Sequence, residues 1–253
     1  MKQRIAIIVY HSVDRTPDIC TISPDAFRRQ MDFIRDHFPI IRLDEIREAL
    51  VDQGSTIKVI ITFDDAFTDF YECAYPILDK FKIPSTVFVA TGFIGGFNDW
   101  DAPFHKCRKK SVMNANELRE LHKTKLVEFG SHGIDHLPMS RLEVDEMRRQ
   151  LAGSKSMLED LLSTSITMFA YPYGRLRDIS PLTTQILSNT DYKIGVTTRW
   201  GTRHSVKDIL CLRRIYLREM DSQRMIKSKI EGLFDWIPLL KEKVIFGMRT
   251  LRM

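Results

Sequence analysis

Two adjacent carboxylates, Asp64 and Asp65, close the stretch "IKVIITFDD" (57–65), directly after an apolar, β-branched run. Like charges side by side where a buried strand emerges are costly unless something offsets them. A helix N-terminus is one remedy, because acids suit its dipole. A bound cation is another: one carboxylate ligates it, and the other stays ionised beside it and serves as a base. A second stretch, "SHGIDH" (131–136), separates His132 from His136 by four residues. In a helical turn that spacing puts both rings on one face. Two imidazoles and one carboxylate form a three-ligand catalytic zinc set with a position left for water. The same donors accept cobalt, nickel or iron, so they leave the metal open.

These groups are far apart in the chain, and only a particular architecture brings them together. "RIAIIVY" (4–10), "IKVIITF" (57–63), "STVFVA" (85–90), "LVEFG" (126–130), "ITMFAY" (166–171), "KIGVTT" (193–198) and a segment near 209–217 read as strands. Their apolar runs are continuous rather than alternating, as in a parallel sheet buried on both faces. Helices are expected between them. "SPDAFRRQMDFIRDHF" (23–38) has Ser23 as N-cap and Pro24 in the first turn. Others are expected over 43–54, ended by Gly54, and at about 68–81, near 116, over 141–163, near 179–189 and near 221–231. About seven strand-then-helix units without a linker predict one α/β domain, a distorted (β/α)7 barrel over residues 1–220. In such a barrel the chemistry sits at the C-terminal ends of the strands. His11, Asp64, Asp65, His132, His136 and Tyr173 all fall at those ends.

The chain has 253 residues, 43% hydrophobic and 28% charged, enough to build a core and too ordered in composition for wholesale disorder. No apolar run is long enough to span a bilayer, and the N-terminus does not read as a signal peptide. The four cysteines, Cys20, Cys73, Cys107 and Cys211, lack a CxxC pair. That predicts neither a disulfide framework nor a thiolate zinc site, and a reduced, cytoplasmic setting. The net charge is +5, and residues 224–253 carry seven bases against three acids, so +4 lies in the tail. The body is near neutral, which argues against a nucleic-acid partner.

"TFDDAF" (62–67), "SHGIDH" (131–136) and "FAYPYG" (169–174), in this order, resemble the polysaccharide deacetylase family, the NodB-homology domain of carbohydrate esterase family four. The similarity runs from about residue 4 to about residue 217. It implies a metal-dependent hydrolase that removes the N-acetyl group from an amino sugar, with a carbohydrate as partner. It implies Asp64 as catalytic base, Asp65, His132 and His136 as metal ligands, and Tyr173 as oxyanion donor and part of the sugar pocket. Ala66 stands where the family usually has glycine. The family arginine that orients the base has no match before "YPYG", and Arg175, Arg213 and Arg214 are the candidates. The late Leu-x-His motif is replaced by "CLRRIYL" (211–217). His11 in "VYHSV" fits the branch resembling poly-N-acetylglucosamine deacetylases, where the catalytic histidine lies near the N-terminus.

Two features stand outside this set. Trp100, in a long irregular stretch over 92–115, either stacks on a sugar ring or anchors the loop, and Lys106 to Lys110 either meet a phosphate or lie in solvent. Residues 221–253 form a basic helical tail in which Leu240, Val244, Met248 and Leu251 recur at helical spacing. It either packs on the barrel or lies on an anionic membrane surface, the inner face in a cytoplasmic enzyme of a lipid-linked sugar. Two other functions share the expected fold: hydrolysis of a non-sugar amide, and non-catalytic glycan binding.

Overall fold

The structure is a computed structural model, and it describes residues 3–52, 54–101 and 108–236. The strands in chain order are β1 (Gln3–Tyr10), β2 (Ser12–Val13), β3 (Thr21–Ile22), β4 (Lys58–Phe63), β5 (Ser85–Val89), β6 (Val127–Ser131), β7 (Met168–Ala170), β8 (Ile194–Trp200), β9 (Arg203–His204) and β10 (Leu212–Arg214). The helices are α1 (Pro24–His37), α2 (Ile46–Val51), α3 (Tyr75–Phe81), α4 (Ala115–Lys123), α5 (Val144–Leu162), α6 (Pro181–Asn189) and α7 (Gln223–Ile230).

Eight strands form the main sheet in the order β10-β8-β7-β6-β5-β4-β1-β9. Seven run parallel, and β9 alone joins antiparallel, through Gln3↔His204 and Arg4↔Arg203. The two ends of the parallel run meet. Ile215, just after β10, bridges Ile8 of β1, with Ile215 N–H donating to Ile7 O at 2.8 Å and Val9 N–H donating to Ile215 O at 2.9 Å. The sheet is therefore nearly closed, in agreement with a distorted (β/α)7 barrel.

Side chains alternate across each strand. On β1, Ile5 and Ile7 join one cluster, with Ile60, Phe88, Met168, Ala170, Ile194, Val196 and Leu212 from the other parallel strands. That is the barrel interior. Leu43, Ile46, Ala49 and Leu50, on and beside α2, complete this cluster at one end. The alternate residues, Ala6, Ile8 and Tyr10, face the outer layer with the apolar sides of α1, α3, α4, α5 and α6. Gly130 is needed inside. A Cβ there would lie 2.5 Å from Phe88 Cε1 and 2.8 Å from Met168 O, so a methyl would displace both.

Local signals explain the helices. Ser23 caps α1 by accepting from Ala26 N–H, Asn114 and Glu117 form a capping box on α4, and Ser180 and Ser222 cap α6 and α7. Four expectations need correction. Gly54 does not end α2; the helix stops at Val51 with Asp52 as its C-cap. The helix expected over 68–81 opens as a π-turn, Phe70–Ala74, before α3. The strands β2, β3 and β9 are too short to leave a periodicity in the sequence. Finally, Cys20 is disulfide-bonded, against the reduced set expected, while Cys73 and Cys211 are free thiols.

α7 packs Ile226 and Ile230 into the outer core, and Asp235 accepts from Thr202 Oγ1 at 2.9 Å. Leu233 and Trp236 are exposed. Residues 237–253, which include the expected tail helix, lie outside the described residues. Among the described residues no helix is long and apolar enough to cross a membrane.

Candidate active site

Strand parity carries functional groups into the barrel mouth. Ile60 and Thr62 face inward, and Asp64 continues their row just beyond β4. His11 follows β1, His132 follows β6, and Arg214 ends β10 in line with interior Leu212. Asp64 N–H donates to Tyr10 O at 2.9 Å, which ties the acid pair to the end of β1.

Arg214 is the arginine that holds Asp64. Nη1 donates to Oδ1 at 2.8 Å and Nη2 to Oδ2 at 2.5 Å, and both side chains are buried. The same guanidinium donates to Thr197 O at 2.9 Å and to Thr62 Oγ1 at 3.1 Å, while Thr62 Oγ1 donates to Ile8 O at 2.9 Å. Burial alone would raise the Asp64 pKa, but the Arg214 guanidinium overcomes it and holds the carboxyl well below its ordinary range. Asp64 is an ionised, fixed carboxylate. Arg175 is exposed, and Arg213 donates to Trp200 O, so neither takes this role.

Asp65, His132 and His136 form a buried cluster whose ligand atoms all lie within 4.8 Å of one another. Nε2 of His132 is 3.6 Å from Asp65 Oδ1, and Nε2 of His136 is 3.4 Å from it. His132 Nδ1 lies 2.7 Å from Ala170 O, and a carbonyl only accepts, so Nδ1 carries the proton. Burial pushes the His132 pKa down to about 4 against the opposing charge of Asp64, and burial pushes His136 well down. Neutral His132 therefore aims the lone pair of Nε2 at a carboxylate. Such a meeting of acceptors is repulsive, and a cation among them relieves it. On a tetrahedral zinc with bonds of about 2.1 Å, two donors lie roughly 3.4 Å apart. The donor set fits a divalent metal.

The histidine pair does not meet on a helical turn, as the spacing suggested. β6 ends at Ser131, Gly133 has φ 78° and His136 φ 53°, and the loop doubles back so that the rings lie 4.7 Å apart. Gln150 on α5 shapes that loop. Its Oε1 accepts from Ile134 and Asp135 N–H, both at 2.9 Å, and its Nε2 donates to Asp135 Oδ2 at 2.6 Å. The signal for Gln150 was a polar residue on the apolar side of α5, among Met147, Leu151, Ser154 and Leu158. Thr62 left a similar one, as the polar residue in "VIITF".

Backbone strain gathers here. Of the described non-glycine residues with positive φ, half are in the site: Asp65 (72°), Ala66 (52°), His136 (53°) and Tyr173 (59°). Each costs on the order of 1–3 kcal/mol and persists only where its surroundings fix it. Ala66 keeps the left-handed turn that the family's glycine would take more easily. Tyr173 O accepts from Thr198 Oγ1 at 2.6 Å, and the Tyr173 ring stands edge-on to His136 at 4.9 Å.

His11 borders a cleft of about 790 Å³ with Ser12, Thr198, Arg214 and Tyr216. It lies near enough to Asp64, His132 and His136 for a proton on its ring to act on all three. Trp100 is half-buried, stacked on His136 and packed against Phe67 and Phe93. Of the basic cluster, Lys109 pairs with Asp99 and Lys110 with Asp69; Lys106 lies outside the described residues.

Residues 52–195 match the family model for polysaccharide deacetylases. The chain is 27% identical over 237 residues to YxkH of Bacillus subtilis, whose name assigns it to the polysaccharide deacetylases; the match covers 91% of this chain and 77% of that one. It is 35% identical over 131 residues to the poly-beta-1,6-N-acetyl-D-glucosamine N-deacetylase of Staphylococcus aureus, covering 48% of this chain and 42% of that protein. The deacetylase PplD of Streptococcus pyogenes, solved in complex with acetate, superposes with a TM-score of 0.77 at 25% identity, covering 91% of this chain and 99% of that one.

Proposed function

The chain belongs to the polysaccharide deacetylase family, and on that footing we propose that it removes the N-acetyl group from an N-acetylglucosamine-type glycan or lipid-linked sugar during polysaccharide synthesis. The observation that carries this reading is the buried Asp65–His132–His136 cluster beside Asp64, a carboxylate held ionised by Arg214. The name of the Staphylococcus aureus relative supports the sugar, and the acetate complex of the Streptococcus pyogenes structure agrees with the product.

Asp65, His132 and His136 would hold the metal, zinc being the first choice. The metal would supply Lewis acidity toward an acetamide carbonyl and a water of lowered pKa. Asp64, low in pKa and locked by two charge-assisted bonds, takes a proton from the attacking water. The Tyr173 N–H stabilises charge developing on the carbonyl oxygen. His11, at the mouth beside the cleft, gives a proton to the leaving nitrogen. Water adds to the carbonyl carbon, the C–N bond breaks, and the products are acetate and the amine. The intact ligand set speaks against a non-catalytic role.

Acetate release from β-1,6-linked N-acetylglucosamine oligomers tests the reading, with protein stripped by chelator and then restored with zinc or cobalt. Release that requires metal and vanishes in Asp65→Ala supports it. A zinc-loaded protein that releases acetate from non-sugar amides but not from any such glycan would replace it with the amide reading.

The cytoplasmic setting expected from cysteine spacing fits poorly with the disulfide at Cys20, which favours an oxidising compartment. The basic tail could still dock on an anionic membrane face, and exposed Leu233 and Trp236 at its start fit that role. Flotation with anionic liposomes of the full chain against one ending at Trp236 decides it; equal behaviour removes the idea.

A further inference from the structure

The two ligand histidines are held by different means. His132 is oriented by a hydrogen bond from Nδ1 to Ala170 O at 2.7 Å. A metal-binding imidazole ordinarily needs such a bond on its other nitrogen, because it fixes the ring and its tautomer. His136 has no such bond to another residue: among the described residues, buried Nδ1 finds nothing beyond its own backbone. Its backbone sits in the left-handed region at φ 53°, so local conformation does not hold it cheaply either.

Rings surround it instead. The Trp100 indole lies over the His136 imidazole at 4.8 Å between centroids and 30° between planes. Tyr173 and His132 meet it edge-on, at 4.9 Å and 4.7 Å. Trp100 is itself fixed, with Phe93 edge-on at 4.7 Å and Phe67 nearly parallel at 6.2 Å. Phe67 is buried, three residues after Asp64, and its backbone bridges Val112. One aromatic stack thus links the segment bearing the acid pair to the ring of the third ligand.

We propose that Trp100 is a positioning residue for the metal site: its indole face, in place of a hydrogen bond, sets the orientation of His136 and so the affinity for the metal. The inference rests on the metal-site reading above. Disturbing the groups that orient a metal ligand typically weakens metal binding about 10- to 100-fold.

The test uses the full chain and zinc itself. The dissociation constant is measured by competition with a chromophoric chelator for the wild type, Trp100→Leu, Trp100→Phe, Asp65→Ala and, as a packing control, Leu121→Ala. Leu121 is buried on α4 and belongs neither to the cluster nor to its aromatic stack. The visible spectrum of the cobalt-loaded proteins reports the ligand field. W100L is expected to weaken zinc binding about 10- to 100-fold and to shift the cobalt bands. W100F keeps a stacking face and stays near the wild type. L121A lowers the melting temperature and leaves zinc affinity unchanged. If W100L loses stability like L121A yet binds zinc as the wild type does, Trp100 is a loop anchor and the proposal is wrong; the same holds if W100F falls as far as W100L. Should W100L not fold, Trp100→Met is read by the same titration. Wild type and D65A binding zinc equally would instead bring down the metal site itself.

Discussion

Replacing Arg214 with glutamine strikes the joint on which the base depends. The change removes two charge-assisted bonds to Asp64 and leaves that carboxylate buried with its main partner gone. Breaking a buried pair from one side costs about 3–5 kcal/mol. A second route gives a lower bound of the same size, because the lowered pKa of the wild type adds to it. With the arginine gone, burial governs Asp64, and a fully buried carboxyl rises by up to 3–5 units above its usual value. At 1.36 kcal/mol per unit, a rise of about 3 units is about 4 kcal/mol at neutral pH. For a chain of this length that lowers the melting temperature by about 10 °C.

The sign of the pH dependence separates this from a general loss of packing. In the wild type the folded pKa of Asp64 lies below the unfolded value, so its contribution is present above about pH 4 and fades as the pH falls further. In Arg214→Gln the folded pKa lies above the unfolded one, so the variant loses stability as the pH rises from about 4 through the new value. Its deficit against the wild type should be larger at pH 8 than at pH 5. The acid limb of kcat/KM should move up toward neutrality, because Asp64 must lose its proton to act as base. Asp64→Asn combined with Arg214→Gln should recover part of the stability, since neither partner is then left charged and alone, while remaining inactive. Denaturant midpoints at both pH values and a pH–rate profile measure all of this. An Arg214→Gln protein with wild-type stability at pH 8 and an unmoved acid limb would refute the claim that this ion pair sets the base.

Three further outcomes follow from particular residues. Gly130→Ala places a Cβ against Phe88 and the Met168 carbonyl; overpacking of about 1–3 kcal/mol should lower the melting temperature by about 5 °C in a thermal scan. Thiol titration of the denatured, unreduced protein should find fewer than four thiols because Cys20 is bonded, with all four returning after reduction. His11→Ala should leave zinc affinity near that of the wild type but lower kcat on the order of 10²–10⁴-fold; unchanged turnover would remove His11 as the acid.

What the sequence made legible was whatever depends on short-range pattern. Continuous apolar runs, Ser23 and Pro24 at a helix start, and acids and histidines at strand ends can be read one segment at a time, and from them came the barrel and the residues that gather at its mouth. The rest depended on which segments meet. Arg175, Arg213 and Arg214 are equal candidates in the chain. Only strand parity on β10 turns Arg214 into the barrel, toward Asp64, while Arg213 turns to Trp200. The spacing of His132 and His136 suggested a helix because i and i+4 converge there, yet a loop with positive φ at Gly133 and His136 reaches a similar convergence, and Gln150 holds it from α5. Trp100 stayed undecided between sugar and packing because its partners Phe67, Phe93 and His136 come from three separate segments. Cys20 was misread because a lone cysteine shows no spacing that marks a bond. Each miss has one cause: a contact between distant segments whose geometry is set by sheet order rather than by sequence spacing. In this barrel those contacts are also what hold Asp64 ionised and the His132 ring aimed at Asp65.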